Sequence, residues 1–396
     1  MTLHSRRLAS IDAFRAITMF LMIFVNDLVL DKGVPDWLEH AGEPEDRLGL
    51  ADTVFPAFLF IVGLSIPFAI GGRIVRKFPR GSTLLHIFRR SFALLAMGFF
   101  QVNYEEYNGA GALLPKYLWL LLITIGFFLV WLDYPADLST TKKRSLQGGG
   151  ILLLVVMALL YKGGTPEDPE WMAPQWYGIL GLIGWSYLLC AVAYLFAGNR
   201  LTVLSLVLVF FLGLGIADEA GWLGFLSPLR HYVWIVSSGA LPAMTMAGVV
   251  TAVFYRRWVG NGKTAQSLLI LAILALVMVA VGFALRPMGG ISKIRATPSW
   301  VWICMAISIA CFIVLAWLVD MKGREGWFRI LRPAGTSTLT SYLLTYLHFA
   351  VLQLIGWRLP EALRTGGAGI GKSLVFALLI ILLTGWLEKR RMRLAI

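Results

Sequence analysis

Apolar runs of close to twenty residues, separated by short polar segments, recur from one end of this chain to the other. Backbone N–H and C=O groups in hydrocarbon have no water to bond, so a spanning segment must satisfy them internally, as a helix of about 20 residues. Runs that meet this demand lie near 11–30, 53–71, 84–102, 113–132, 178–197, 234–255, 266–285, 299–319, 338–357 and 370–387. Two shorter ones, near 145–161 and 201–217, bring the set to about twelve, or eleven if one of them fails to span. The expected fold is an all-α, polytopic transmembrane bundle, read as one unit over residues 1–396 in the cell (inner) membrane. Composition agrees, since 58% hydrophobic and 14% charged residues lie well outside the half-apolar, quarter-charged balance of soluble domains.

The net charge of +13 is distributed between the runs, whereas a nucleic-acid footprint would need clustering on one soluble face. Lys and Arg collect on the cytoplasmic side of short loops. With the N-terminus inside, most of the 35 basic residues fall in cytoplasmic segments, including Arg6 and Arg7, the stretch from Arg73 to Arg90, and Lys389 to Arg393. Both termini are therefore expected in the cytoplasm. The first run follows Arg6 and Arg7 as a signal peptide would, but it carries Asp12 and Arg15 and has no small-residue cleavage site, so it reads as a retained helix. Cys190, Cys304 and Cys311 lie inside apolar runs and read as packing residues.

Two outer segments break the charge rule, one with Arg286, Lys293 and Arg295, the other with Arg358, Arg364 and Lys372. They read either as cations snorkelling to the interface or as a cradle for an acidic group on an external substrate. Asp12 and Arg15, three apart in the first run, share one helix face, and ionisable groups at membrane depth are functional candidates as well as structural ion pairs. Asn26 and Asp27 close that run at its outer end. The first outer loop holds a single imidazole, His40, a side chain suited to proton transfer near neutral pH. Asp52 opens the next run, where a carboxylate can cap the helix or orient His40 if the loop folds back. His348 lies inside the run at 338–357 and reads as a pocket group or a buried interhelical histidine. His4, His86 and His231 read as incidental. No HExxH or paired CxxC spacing points to a metal, and no GxSxG or P-loop pattern points to a hydrolase or an ATP-driven pump.

The stretch SIDAFRAITMFLMIFVND, followed by the His-containing loop and then LADTVFPAFLFIVGLSI, resembles the opening of the heparan-α-glucosaminide N-acetyltransferase family. WYGILGLIGWSYLLCAVAYL, GALPAMTMAGVV, ISKIRATPSWVWIC and RPAGTSTLTSYLL are similar to a bacterial branch of that family. The resemblance implies a membrane-embedded acyltransferase that moves an acetyl group from cytoplasmic acetyl-CoA to the amine of a glucosamine-type sugar outside. It implies that His40, with Asp52 to orient it, is catalytic. His40 is followed here by AGEPEDRLGLAD, where the enzyme branch commonly carries Ala, any residue, Trp, Asn and Gly. On this reading the CoA phosphates are expected at Arg73, Arg76, Lys77, Arg80, Arg89 and Arg90, because Lys and Arg suit phosphate. The partners expected are a sugar or glycan acceptor and membrane lipids, with no nucleic acid; a homodimer is compatible. Two alternatives stand beside it: O-acetylation of a cell-surface polysaccharide or lipid-linked sugar, and a secondary transporter of a small solute, which twelve helices also fit.

Overall fold

The computed structural model describes residues 8–165, 167–226, 228 and 238–396. Thirteen α-helices are described: α1 Ala9–Leu28, α2 Leu50–Val75, α3 Arg80–Glu105, α4 Lys116–Trp131, α5 Thr140–Leu159, α6 Gly178–Ala197, α7 Leu201–Glu219, α8 Ala240–Gly260, α9 Thr264–Ala284, α10 Pro298–Leu315, the short α11 Arg332–Thr336, α12 Thr338–Leu354 and α13 Gly366–Lys389. A two-stranded hairpin, β1 Gly163–Gly164 with β2 Pro169–Glu170, joins α5 to α6. Each expected apolar run carries one of the long helices. Eight spans among the described residues are long and apolar enough to cross a membrane, so the protein is a multi-pass, all-α membrane bundle. Of the other long helices, α4 is apolar but has only 16 residues, and α5 opens on the polar stretch TTKKRSLQGGG. Residues 229–237, where the run at 234–255 begins, lie outside the described residues, as do His4, Arg6, Arg7 and His231.

Close helix crossings hold the middle of the bundle together. A Cβ on Gly63 of α2 would stand 1.8 Å from the Thr245 carbonyl of α8, and one on Gly248 of α8 would stand 2.0 Å from the Phe60 carbonyl. Only glycine allows two backbones this near each other, and such approach is how helices gain dispersion energy where lipid supplies no hydrophobic drive. α2 also contains Pro56 and Pro67, which lack the N–H that would bond the carbonyl four residues earlier. The carbonyl freed by Pro56 is that of Asp52, and Trp300 Nε1 of α10 donates to it at 3.2 Å. A proline thus ties the opening of α2 to α10. At the other end of α10 the helix widens into a π turn over Ala316–Met321, and Asp320 accepts from the backbone N–H of Ser10 at 3.1 Å and from its hydroxyl at 2.6 Å.

The start of α1, the finish of α2 and the segment after α13 meet at one end of the bundle, where Leu8, Val75, Arg76 and Leu394 line one cavity. The opposite end carries the loops 29–49, 285–297 and 355–365. They are joined to one another and to the helix ends by Asp46–Arg286 at 2.9 Å, Lys32–Glu361 at 2.8 Å and a bridge between Lys32 and Thr365. Lys372, expected among the outward-facing cations, turns inward: its amine sits 2.8 Å from Asp27 and 2.9 Å from Asp31, and Ser373 donates to Asp27 at 2.7 Å. The cradle reading of Lys372 gives way to an internal clasp between α1 and α13.

Candidate functional site

Asp52 lies in the first turn of α2, where the side chain reaches back over the helix start. Its Oδ2 accepts the backbone N–H of Gly49 at 3.1 Å and of Ala41 at 3.0 Å. Position 49 must be glycine, because a Cβ there would stand 1.8 Å from the Glu39 carbonyl. These bonds fold loop 39–49 over α2, and Arg47 fastens it by donating to the carbonyls of Asp36 at 2.6 Å and His40 at 3.2 Å. The result places His40 Nδ1 2.8 Å from Asp52 Oδ1. The carboxylate is 1% exposed and the imidazole 32%, so one partner is sealed in and the other reaches the surface.

A third group converges on the same nitrogen. Lys293 Nζ lies 3.1 Å from His40 Nδ1, carried by a loop that Asp46 holds through the Arg286 pair and the Ile291 N–H at 2.7 Å. Burial pushes the Lys293 amine below its ordinary range, opposed by the charge of Asp52. When Nδ1–H donates to Asp52, only a neutral Lys293 amine can share that proton, and the lone pair of the imidazole is then at Nε2. Nε2 makes no hydrogen bond among the described residues, so in that tautomer its lone pair is left without a protein donor.

The arginines stand at the opposite end. Arg76 and Arg90 line a cavity of about 660 Å³ that also touches Asp12, Arg15, Ser65, Tyr187, Tyr342 and Arg393. Arg15 contacts Asp12 at 3.2 Å, Ser65 Oγ at 2.5 Å and the Gly335 carbonyl at 3.3 Å, so the ion pair of α1 is part of the cavity wall. The Arg90 guanidinium stands 4.9 Å over the Tyr187 ring. No carboxylate pairs with Arg76 or Arg90 among the described residues. Of the other expected phosphate ligands, Arg73 closes the α2–α3 turn through Ser82 at 3.2 Å and the Phe78 ring at 4.5 Å. Lys77 occupies a left-handed turn position at φ 57°. Arg80 and Arg89 are exposed, and neither lines the cavity.

Along α1 the lining runs from Leu8 to Met22, about 21 Å of helix at 1.5 Å per residue. On α2 it ends at Phe58, six residues short of Asp52, about 9 Å of helix. The cavity and the imidazole are therefore two separate features. Asn26 is exposed, Asp27 belongs to the Lys372 clasp, and His348 is exposed on α12 with its ring 4.9 Å from Phe376 of α13. His348, read as a pocket group or a buried interhelical histidine, lies six residues beyond the lining Tyr342 and is not among the residues that line this cavity. Arg393, Tyr187 and Ser65 escaped the sequence reading, since each is ordinary in its own run and becomes notable only where six helices meet.

Residues 7–220, more than half of the chain, match the family described as "Domain of unknown function (DUF5009)". The chain belongs to the DUF5009 family. Among curated proteins it is similar to heparan-alpha-glucosaminide N-acetyltransferase of Homo sapiens, 38% identical over 97 residues, and of Mus musculus, 34% identical over 99 residues. These matches cover 24% and 25% of this chain and 14% of each relative. This member of the DUF5009 family thus spans about one seventh of the length of the curated relatives it matches.

Proposed function

We propose that the protein is a transmembrane acetyltransferase of the inner membrane that takes the acetyl group of cytoplasmic acetyl-CoA and passes it to the amine of a glucosamine-type sugar on the outer side. The observation that carries this reading is the polarity of the bundle: two arginines, Arg76 and Arg90, bordering a deep cavity at one end with no carboxylate partner among the described residues, and a carboxylate-oriented imidazole at the other. Arg76 and Arg90 suit the phosphates of the donor, because guanidinium forks form paired, charge-assisted bonds to phosphate oxygens. The apolar lining at Met19 and Met22 on α1 and at Leu94, Leu180 and Ile183 suits the less polar arm. His40 Nε2 accepts the proton that the amine sheds as its nitrogen attacks the thioester carbonyl. The C–S bond breaks, and the imidazolium returns that proton to the departing sulfur, leaving an amide and a free thiol. Asp52 holds the ring in the required tautomer and stabilises its charged form. The roughly 9 Å of α2 between Phe58 and Asp52 is the segment that must open for the acyl group to meet the ring.

The test is transfer of labelled acetyl from acetyl-CoA in membrane vesicles. His40→Ala is expected to abolish transfer to glucosamine, and unchanged transfer rules the mechanism out. Product analysis with hydroxyl acceptors separates O-acetylation of a polysaccharide or lipid-linked sugar from amide formation. Solute uptake that needs no acyl donor selects a transporter instead.

A further inference from the structure

Two groups compete for one nitrogen of His40. Nδ1 lies 2.8 Å from Asp52 Oδ1 and 3.1 Å from Lys293 Nζ, and Lys293 forms no ion pair with a carboxylate among the described residues. An imidazole nitrogen either carries a proton and donates, or carries a lone pair and accepts. The Asp52 carboxylate requires the proton at Nδ1. A neutral Lys293 is compatible with that proton, because an amine has a lone pair. An ammonium has only donors, so it requires the lone pair at Nδ1 and sends the ring proton to Nε2. Burial disfavours the ammonium and the charge of Asp52 favours it, so the two forms of Lys293 are set against each other. The surroundings supply few other charges. Asp52 of α2 and Cys304 of α10 act on the amine, and the Cys304 thiol lies 3.9 Å from the Asp52 carbonyl. On the His40 loop Arg47 is turned to backbone carbonyls and Glu45. On the Lys293 loop Arg286 is held by Asp46 and Arg295 by the Gly289 carbonyl, where Glu219 of α7 also approaches.

We propose that Lys293 is a positioning residue for His40: its protonation decides which ring nitrogen holds the proton, and only its neutral form leaves Nε2 with the lone pair that a general base needs. The consequence for catalysis rests on the acetyltransferase reading. Transfer then rises with pH as Lys293, and not the imidazole alone, loses its proton. Lysine ordinarily titrates well above histidine, so taking the amine away extends transfer to lower pH, whereas a permanent cation at this position silences the base.

The experiment uses the full chain in lipid nanodiscs with nitrogen-15 in its histidine rings, and His40→Ala assigns the His40 signals. Nitrogen shifts report which ring atom carries the proton, with no acyl transfer involved. Lys293→Met removes the amine, and Lys293→Arg places a cation that stays charged at every working pH. The Met variant is expected to hold the proton at Nδ1 wherever the ring is neutral, the Arg variant to hold it at Nε2, and the wild type to pass from Nε2 to Nδ1 as pH rises. In transfer of labelled acetyl, the Arg variant is expected at least about tenfold below the Met variant, and the Met variant to keep transfer to lower pH than the wild type. A lysine that serves only as a structural cation predicts the opposite ranking, with Arg the milder change. The same tautomer in both variants, a wild-type ring that keeps one tautomer across the pH range, or an Arg variant that transfers as well as the Met variant overturns the inference. The tautomers are read without acetyl-CoA, so they stand even if His40→Ala proves harmless, and tautomers indifferent to Lys293 leave the His40 mechanism untouched.

Discussion

The two ends of this bundle use charge in opposite ways. At the loop end four sets of ions are paired: Asp46 with Arg286, Lys372 with Asp27 and Asp31, Lys32 with Glu361, and His40 with Asp52. At the other end Arg15 pairs with Asp12 and Arg393 with Asp133, but Arg76 and Arg90 border the cavity with no carboxylate partner among the described residues. A cation lining a low-dielectric cleft raises the local concentration of anions, whereas a neutralised pair mainly fixes geometry. The charges at the loop end therefore hold one arrangement, whereas two cavity arginines at the other end are left without a neutralising carboxylate.

The sharpest way to break this contrast is to remove the one group at the loop end with a free functional face. His40→Ala is expected to lower acetyl transfer about 10²–10⁴-fold, while detergent-solubilised protein keeps its elution profile. Lost activity together with aggregation would instead make His40 one more structural tie. Next comes Lys372→Met, which strands Asp27 and Asp31 without their cation. Asp31 has a fully buried side chain, and breaking a buried pair from one side typically costs about 3–5 kcal/mol. A clear drop in unfolding temperature is expected, and an unchanged one would show that the clasp contributes nothing.

How far the sequence anticipates the structure follows from where the physics is local. Each apolar run became a helix because hydrocarbon leaves the backbone no alternative, and this holds even for the weak runs at 145–161 and 201–217, now parts of α5 and α7. Helix ends moved by a few residues where polar turns could extend the helix, as in α3, which starts at Arg80 rather than near 84. The contact of His40 with Asp52 depends on Gly49, Arg47 and two backbone N–H groups acting together, which no spacing reveals. The cavity was less legible still, because it arises where α1, α2, α3, α6, α11 and α12 fail to close.

The arginine end is tested by Arg76→Ala combined with Arg90→Ala. If these side chains receive phosphates, KM for acetyl-CoA rises at least about tenfold, a modest fraction of what two charged hydrogen bonds can supply, while kcat at saturation changes little. A fall in kcat with unchanged KM would move the arginines out of the donor site.

The smallest effect is expected at the clasp between loops 29–49 and 285–297. The Ile291 N–H and the Arg286 guanidinium hold the Asp46 carboxyl below the usual aspartate range. A depressed folded-state value means that the clasp stabilises the loops above the ordinary aspartate pKa, and that this contribution fades only as pH falls through the lower folded value. Asp46 and Arg286 are both well exposed, so salt screens the pair and its share of global stability is slight. Asp46→Asn is expected to leave the unfolding temperature nearly unchanged but to speed limited proteolysis in loop 285–297, because the side chain also anchors the Ile291 backbone. Since the same loop carries Lys293 to within 3.1 Å of His40, the variant should also shift the pH profile of transfer. A profile identical to the wild type would show that Lys293 is positioned without help from the clasp.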